Sequence, residues 1–309
     1  QLYDNGKLAI LNGVGYPNPN RSHFRSMEIW HTASNADETR DHGWIGRYFD
    51  NHCEGTPSPA VGVHIGPESP QAFDSADGHG VAFERPDRFR WTEGYGTDNE
   101  AAFRRLNRVG RTPSESADNL EFLRHVSSSI ILASDEIQEA ASRPKQSVEY
   151  PQARLAAHLQ HVAALINGES PTRIYYVNHT GFDTHAQQAN QHGNLLEQFT
   201  ESVAAFYEDL RANGHADRVL VLVFSEFGRR VEENYSRGTD HGAAGPMFLL
   251  GDPVNPGTYG RYPSLSDLDG GDLQHTVDFR QVYATVLRDW FHINPTTVLG
   301  GSFSTLPLL

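Results

Sequence analysis

The sequence predicts an α/β protein with a mostly parallel central sheet, and three observations within residues 172–250 predict it. Two runs, Val219-Leu-Val-Leu-Val-Phe224 and Met247-Phe-Leu-Leu250, are continuously apolar, the pattern of strands covered on both faces. Upstream of them, the strand-like Arg173-Ile-Tyr-Tyr-Val177 leads to a helix whose Leu196, Phe199, Val203, Phe206 and Leu210 recur at steps of three and four. That is one apolar stripe of an about 3.6-residue repeat. The turns beside these strands are rich in metal-binding side chains. Ligand sites of open α/β sheets lie outside the carboxyl ends of strands, and Asp183, His185, Glu226, Asp240 and His241 are expected just past such ends, where they converge on one crevice.

In chain order, a turn or short helical segment over 1–6 precedes a strand, Leu8-Ala-Ile-Leu11, with Gly13 and Gly15 suited to a sharp exit. The Pro- and Asn-rich stretch after Tyr16 delays the next helix until Ser22 or Ser26. Residues 31–100 are dense in Gly, Pro, Asp, Asn and His, with strands at Ala60-Val-Gly-Val63 and Val81-Ala-Phe83. Asp74-Ser-Ala-Asp77-Gly78-His79 resembles a metal loop, but Asp-Gly is first a turn signal, and the segment is read as structural. Helices follow over 99–109, 115–142 and 152–167, the last with Leu155, Leu159, Val162 and Leu165 on one face. Gly214 ends the long helix of the central stretch. Residues 252–272 form a Gly-, Pro- and Asp-rich loop. A closing helix starts at Asp278, at capping-box spacing from Gln281, and turns Phe279, Val282, Val286 and Trp290 inward.

A length of 309 residues suits one large α/β domain spanning 1–309. No apolar run approaches the about 18 residues of a membrane span, and the mean hydropathy is −0.54. A net charge of −14 argues against nucleic acid as a partner, because a phosphate backbone would be repelled. The single cysteine, Cys53, excludes an intramolecular disulfide and a CxxC site, and reads as incidental rather than nucleophilic.

The polar turns carry the chemistry. Asp183 and His185 supply one hard oxygen and one imidazole, and Asp240 and His241 supply two more donors, with Glu226 beside them. Such mixed sets suit Zn²⁺ or Mn²⁺ more readily than Mg²⁺ or Ca²⁺. Taken singly, each pair also reads as an ordinary Asx or glycine turn. Ser22 stands where a hydroxyl at a helix N-terminus could act as a nucleophile favoured by the helix dipole; the alternative is an N-cap.

Several motifs in order, Pro19-Asn-Arg-Ser-His-Phe24, Gly181-Phe-Asp-Thr-His185 with Gln188, Ser225-Glu-Phe-Gly-Arg229, Gly238-Thr-Asp-His-Gly242 and Asp278-Phe-Arg280, resemble the DUF1501 family. That is a group of mostly exported bacterial proteins placed in the alkaline phosphatase-like superfamily, beside sulfatases and cofactor-independent phosphoglycerate mutases. The resemblance implies an alkaline phosphatase-like three-layer αβα fold. It also implies a periplasmic or extracellular setting and a metal-dependent hydrolase of phosphate or related anionic esters, including sulfated or phosphorylated saccharides. Ser22 would be the nucleophile, with His23 beside it among the catalytic residues. Asp183, His185 and His241 would hold a first metal, and Glu226 would serve a second, with Phe227 in place of the superfamily's usual His. Asp240 would join either site or orient His241. Arg229 would hold the substrate's anionic oxygens or else form a structural salt bridge.

The superfamily's first-strand Asp has no counterpart before Ser22, so either a segment of the family precedes Gln1 or only one metal site is complete. Ser22-His-Phe-Arg25 departs from the pattern that sulfatases convert to formylglycine. A non-catalytic member acting as a carbohydrate- or partner-binding module is the alternative. A metal-free serine esterase lacks its Gly-x-Ser-x-Gly elbow.

Overall fold

The computed structural model describes residues 2–53, 59–90, 97–106, 119–143 and 147–309. Its strands are β1 (Leu8–Gly15), β2 (Gly62–Ile65), β3 (Val81–Phe83), β4 (Ile174–Val177), β5 (Val221–Val223), β6 (Arg229–Glu233), β7 (Thr239–His241), β8 (Gly245–Leu250), β9 (Gly257–Tyr259), β10 (Leu268–Asp269), β11 (Asp272–Leu273) and β12 (Val277–Asp278). Its α-helices are α1 (His23–Thr32), α2 (Trp44–His52), α3 (Thr97–Leu106), α4 (Asn119–Ser142), α5 (Arg154–Asn167), α6 (Gln188–Ala212), α7 (Phe279–Thr285) and α8 (Pro295–Leu299). The expected helical residues 107–109 and 115–118 lie outside the described residues. Among the described residues no helix is long and apolar enough to cross a membrane.

The chain is a mixed α/β protein. One sheet, β3-β2-β4, is parallel throughout. The second large sheet runs β12-β1-β8-β5, with β9 also paired to β1, and β6–β7 and β10–β11 form two small two-stranded sheets. The second large sheet is mixed rather than mostly parallel, because β8 is antiparallel to both β1 and β5, with Val221 opposite Leu250 and Val223 opposite Phe248. The physical reason is the connection. A parallel return needs a crossover, usually a helix, whereas the chain between β5 and β8 forms the two-stranded β6–β7 hairpin and comes straight back. Continuous apolarity is shared by any strand buried on both faces, so the sequence does not distinguish the two directions.

Both large sheets are covered on both faces. Ile174 and Tyr176 of β4 pack with Leu222 and Met247 in a core closed by α1, α2, α7 and α8, through Trp30, Phe49, Phe279 and Val298. Tyr175, Val177, Val221 and Phe248 face a second core closed by α4, α5 and α6, through Ile137, Leu159 and Phe206. Strand alternation therefore gives three layers, helices on each side of the strands. Val203, Phe206 and Leu210 of α6 are buried as its periodicity requires, while Leu196 is 46% exposed because the helix runs past the edge of its core.

Smaller corrections follow from local chemistry. Gly13 does not end β1. It sits in a bulge between Leu11 and Val14 with φ +62°, where a methyl group would lie 2.8 Å from Thr276 Oγ1. The loop expected at 252–272 contains β9, which pairs in parallel with Ala9–Leu11. Asp278 caps α7 through the full capping box with Gln281, but the regular helix ends at Thr285 and passes into a wider π turn over Val286–Trp290. Cys53 is half-buried, and burial pushes its thiol pKa up, away from nucleophilic use.

His31 of α1 lies against Tyr176, whose hydroxyl is 3.0 Å from Nε2. Burial, with a smaller repulsion from His64, lowers its pKa to about 4. As the pH falls below about 6.5, the unfolded chain takes up a proton that the native ring refuses until about pH 4. Stability is thus lost across that window, by about 3 kcal/mol in all. Urea unfolding at pH 7 and pH 4 should show this: the loss of unfolding free energy is expected to be about 3 kcal/mol smaller in His31→Gln than in the parent chain.

Candidate metal and active site

Four segments meet at one end of the sheets: the N-terminus of α1, the turn after β4, the turn after β5, and the β6–β7 hairpin. The hairpin is packed so closely on the β4 turn that a methyl group on Gly238 would lie 2.2 Å from the His185 carbonyl carbon. At Gly228 it would lie 1.9 Å from the Ala244 carbonyl oxygen. Only glycine admits that approach. Asp240 and His241 consequently reach the site from β7, inside the hairpin, rather than from beyond a strand's carboxyl end.

Three donor atoms form a close triangle. His185 Nε2 and His241 Nε2 are 2.9 Å apart, and each lies 2.9 Å from Asp183 Oδ1. The other ring nitrogens fix the tautomers. His241 Nδ1 is 2.8 Å from the carbonyl oxygen of Arg21, which only accepts, so Nδ1 carries the proton. His185 Nδ1 faces Asp240 Oδ1 at 3.1 Å and donates to it. In neutral rings both Nε2 atoms are then bare lone pairs, directed at each other and at a carboxylate oxygen. Three acceptors with no proton between them repel one another; a cation among them removes the conflict. His23 repeats the pattern, with Nδ1 donating to Glu226 Oε1 at 2.6 Å and Nε2 3.4 Å from Asp183 Oδ2. His23, Asp183 and His241 each offer a ligand atom within 4.8 Å of the others. Histidines that bind metal typically give their second N–H to a carboxylate or backbone carbonyl, and all three do so here.

The chain's own electrostatics keep Asp183 ionised. Burial raises its pKa, but the hydrogen bond and charge of Arg229, with the imidazoles of His241 and His185 close by, outweigh that and hold it well below the usual carboxylate range. Arg229 Nη2 donates to Asp183 Oδ1 at 2.6 Å and to the Phe182 carbonyl, and Nη1 donates to the Thr239 carbonyl. The structure thus turns its guanidinium toward the protein. Phe227, buried, lies beneath the donors, with ring centroids 5.0 Å from His23 and 4.5 Å from His241.

The sequence candidates therefore separate. Asp183, His185 and His241 come together, joined by His23. Glu226 is not placed as a ligand: Oε1 takes the His23 proton, Oε2 takes the Ser225 hydroxyl at 2.9 Å, and its carbonyl is held by Ser26 Oγ and Trp30 Nε1. Asp240 orients His185 rather than His241, and hydrogen bonds from Asn234 and then His185 hold its pKa down. Ser22 is exposed at the start of α1, makes no capping hydrogen bond, and lies between Arg21 and His23, both fixed to the site. Asn234 escaped the sequence reading: its side chain donates to Asp240 Oδ1 and the His185 carbonyl, both at 3.1 Å, yet in the sequence it reads only as a turn residue. A second group, Asp50, Asp77 and His79, lies within ligand distance elsewhere among the described residues. There Asp50 accepts the backbone N–H groups of Ala76 and Asp77, which staples a loop.

Fold and site together define a mixed α/β protein with three histidines and one carboxylate gathered at the rim of its sheets. The chain belongs to the family described as a protein of unknown function (DUF1501), which matches residues 15–299. No curated protein matches it. It is similar to the crystal structure of Ps i-CgsB, at 12% identity and a TM-score of 0.42, covering 98% of this chain and 67% of that one. It is also similar to the same protein in complex with k-i-k-neocarrahexaose, at 12% identity and a TM-score of 0.40, covering 97% of this chain and 65% of that one. The chain spans about two thirds of the length of these structures.

Proposed function

We propose that this protein is a metal-dependent hydrolase of phosphate or sulfate esters, related in fold to the alkaline phosphatase-like enzymes. The observation that carries this reading is the close triangle of His185 Nε2, His241 Nε2 and Asp183 Oδ1, each 2.9 Å from the other two, with His23 beside it. The residues fit a divalent cation. Three imidazoles and one carboxylate suit Zn²⁺, with Mn²⁺ next, better than the oxygen-rich preference of Mg²⁺ or Ca²⁺. Bound there, such a cation supplies Lewis-acid charge to the oxygens of an anionic ester. Glu226, Asp240 and the Arg21 carbonyl hold the three rings, and Arg229 holds Asp183, so the donors stay aimed without rearrangement.

The remaining chemistry falls to Ser22. Its Oγ attacks phosphorus or sulfur, the ester oxygen departs with a proton as the alcohol, and water then displaces the serine, releasing phosphate or sulfate and restoring the hydroxyl. Because Glu226 is tied to His23 and Ser225, the reading requires one cation rather than two.

The test uses protein stripped of metal and reloaded with zinc or manganese, assayed on aryl phosphate, phosphodiester and sulfate substrates. Turnover is expected to vanish with chelator, return with metal, and fall in kcat for Ser22→Ala at unchanged metal content. Turnover indifferent to chelator and to Ser22→Ala overturns the proposal. Metal binding without turnover of any ester would instead identify a binding module.

A further inference from the structure

With Arg229 turned inward, the substrate's anion needs another partner, and the neighbouring residue on β6 offers one. Arg230 Nε lies 3.3 Å from Asp272 Oδ1, and its Nη2 donates to the Gly270 carbonyl at 3.1 Å. Arg21 meets the other oxygen of the same carboxylate, Nε donating to Asp272 Oδ2 at 2.9 Å and Nη2 bonded to it as well. Asp272 is a side chain only 4% exposed, lying beneath the two guanidiniums, which are 43% and 31% exposed. One carboxylate cannot neutralise two guanidiniums, and the Nη1 of each has no hydrogen-bond partner among the described residues. Arg21 and Arg230 line a shallow, open depression of about 380 Å³ together with His185, Asp240 and His241, so the paired cations adjoin the proposed metal donors directly. Asp240, the remaining acid lining this depression, spends its hydrogen bonds on Asn234 and His185 and meets Arg230 only through a weaker charge attraction. Arg21 also walls a second cavity of about 570 Å³, lined with Asn18, Asn20, Asp269, Gln274 and His275.

We propose that Arg21 and Arg230, anchored on Asp272, form the clamp for the tetrahedral oxyanion of the substrate, and that the adjoining cleft receives a hydroxylated remainder such as a sugar. Arg21 is held on the buried carboxylate by hydrogen bonds and Arg230 by an ion pair and the Gly270 carbonyl, and the remaining guanidinium N–H groups, Nη1 of each among them, present preorganised donors to phosphate or sulfate oxygens. The Asn18 amide, the Asn20 amide nitrogen, the Gln274 side-chain oxygen and the Asp269 carboxylate suit hydroxyl groups, while the Gln274 amide nitrogen is bonded to Asp267 and Asn20 Oδ1 to the Ser22 N–H. The clamp names the substrate class for the hydrolase reading and rests on that reading for its catalytic purpose, but its affinity for a free anion does not depend on turnover.

Calorimetric titration of inorganic phosphate, and separately of sulfate, into metal-free and zinc-loaded protein tests it. Arg21→Gln and Arg230→Gln are each expected to weaken anion binding about 10- to 100-fold in both forms, with bound zinc unchanged by elemental analysis. Arg230→Lys, which keeps the charge but not the fork, is expected to recover part of the loss and guards against a folding defect. Phosphate and sulfate affinities within twofold of the parent chain in both glutamine variants overturn the clamp. Failure of zinc to bind at all would overturn the hydrolase reading while leaving the arginine dependence of anion binding to be read in the metal-free protein.

Discussion

His241→Ala is expected to weaken zinc binding by about 10²- to 10³-fold while the chain stays folded. The magnitude follows from sharing a structural-type zinc affinity of about 10–16 kcal/mol among four ligands, about 2.5–4 kcal/mol each. The fold survives because His241 sits on a short hairpin outside both apolar cores. Its loss also frees the Arg21 carbonyl, which water can satisfy at an exposed position. Competition with a zinc-binding dye measures the change, and circular dichroism checks the fold. Asp183→Asn should fall in the same range. An affinity unchanged by His241→Ala would mean that zinc binds elsewhere.

The second large effect is on stability. Trp30→Ala is expected to cost about 4 kcal/mol, the usual range for removing a fully buried Trp. Trp30 is 2% exposed and stacks on Phe279, with centroids 4.3 Å apart, and on Phe224 at 5.2 Å, so it ties α1 to α7 and to the end of β5. Its indole N–H also donates to the Glu226 carbonyl at 2.9 Å. Truncation therefore opens a cavity and loosens the turn that holds His23. Urea unfolding should show the loss in midpoint, and zinc affinity measured under native conditions should fall as well. A stability cost below about 1.5 kcal/mol would contradict this account of the core.

Much of the architecture was legible because it rests on periodicity. The stripe on α5, the apolar β5 and β8, and the capping box at Asp278 are patterns along the chain, and the structure places elements at each. Strand direction was not legible, since β5 and β8 have the same composition either way. Leu196 fits the helical repeat perfectly well and is still exposed, because periodicity reports a face and not how far the core extends.

In the site, Asp183, His185 and His241 announced themselves by residue type beside strands. The division between the carboxylate that meets Nε2 atoms and those that meet Nδ1 atoms did not. Glu226 and Asp240 carry the same chemistry as Asp183, and what sets them apart is the ring nitrogen each meets, Nδ1 for those two and Nε2 for Asp183. His23 looked like a companion of Ser22 because no spacing reveals that its Nδ1 meets a glutamate two hundred residues later. Arg21 and Asp272 are still further apart in sequence, which leaves their pairing without any local signature.

The most direct test is a crystal structure of zinc-loaded protein with anomalous data collected on both sides of the zinc edge. The account predicts one peak about 2.0–2.2 Å from Nε2 of His23, His185 and His241 and from an Asp183 oxygen, with Glu226 and Asp240 hydrogen-bonded to their rings rather than to the ion. No peak among these four side chains in zinc-loaded protein, or a peak at Asp50 and His79 alone, would contradict it.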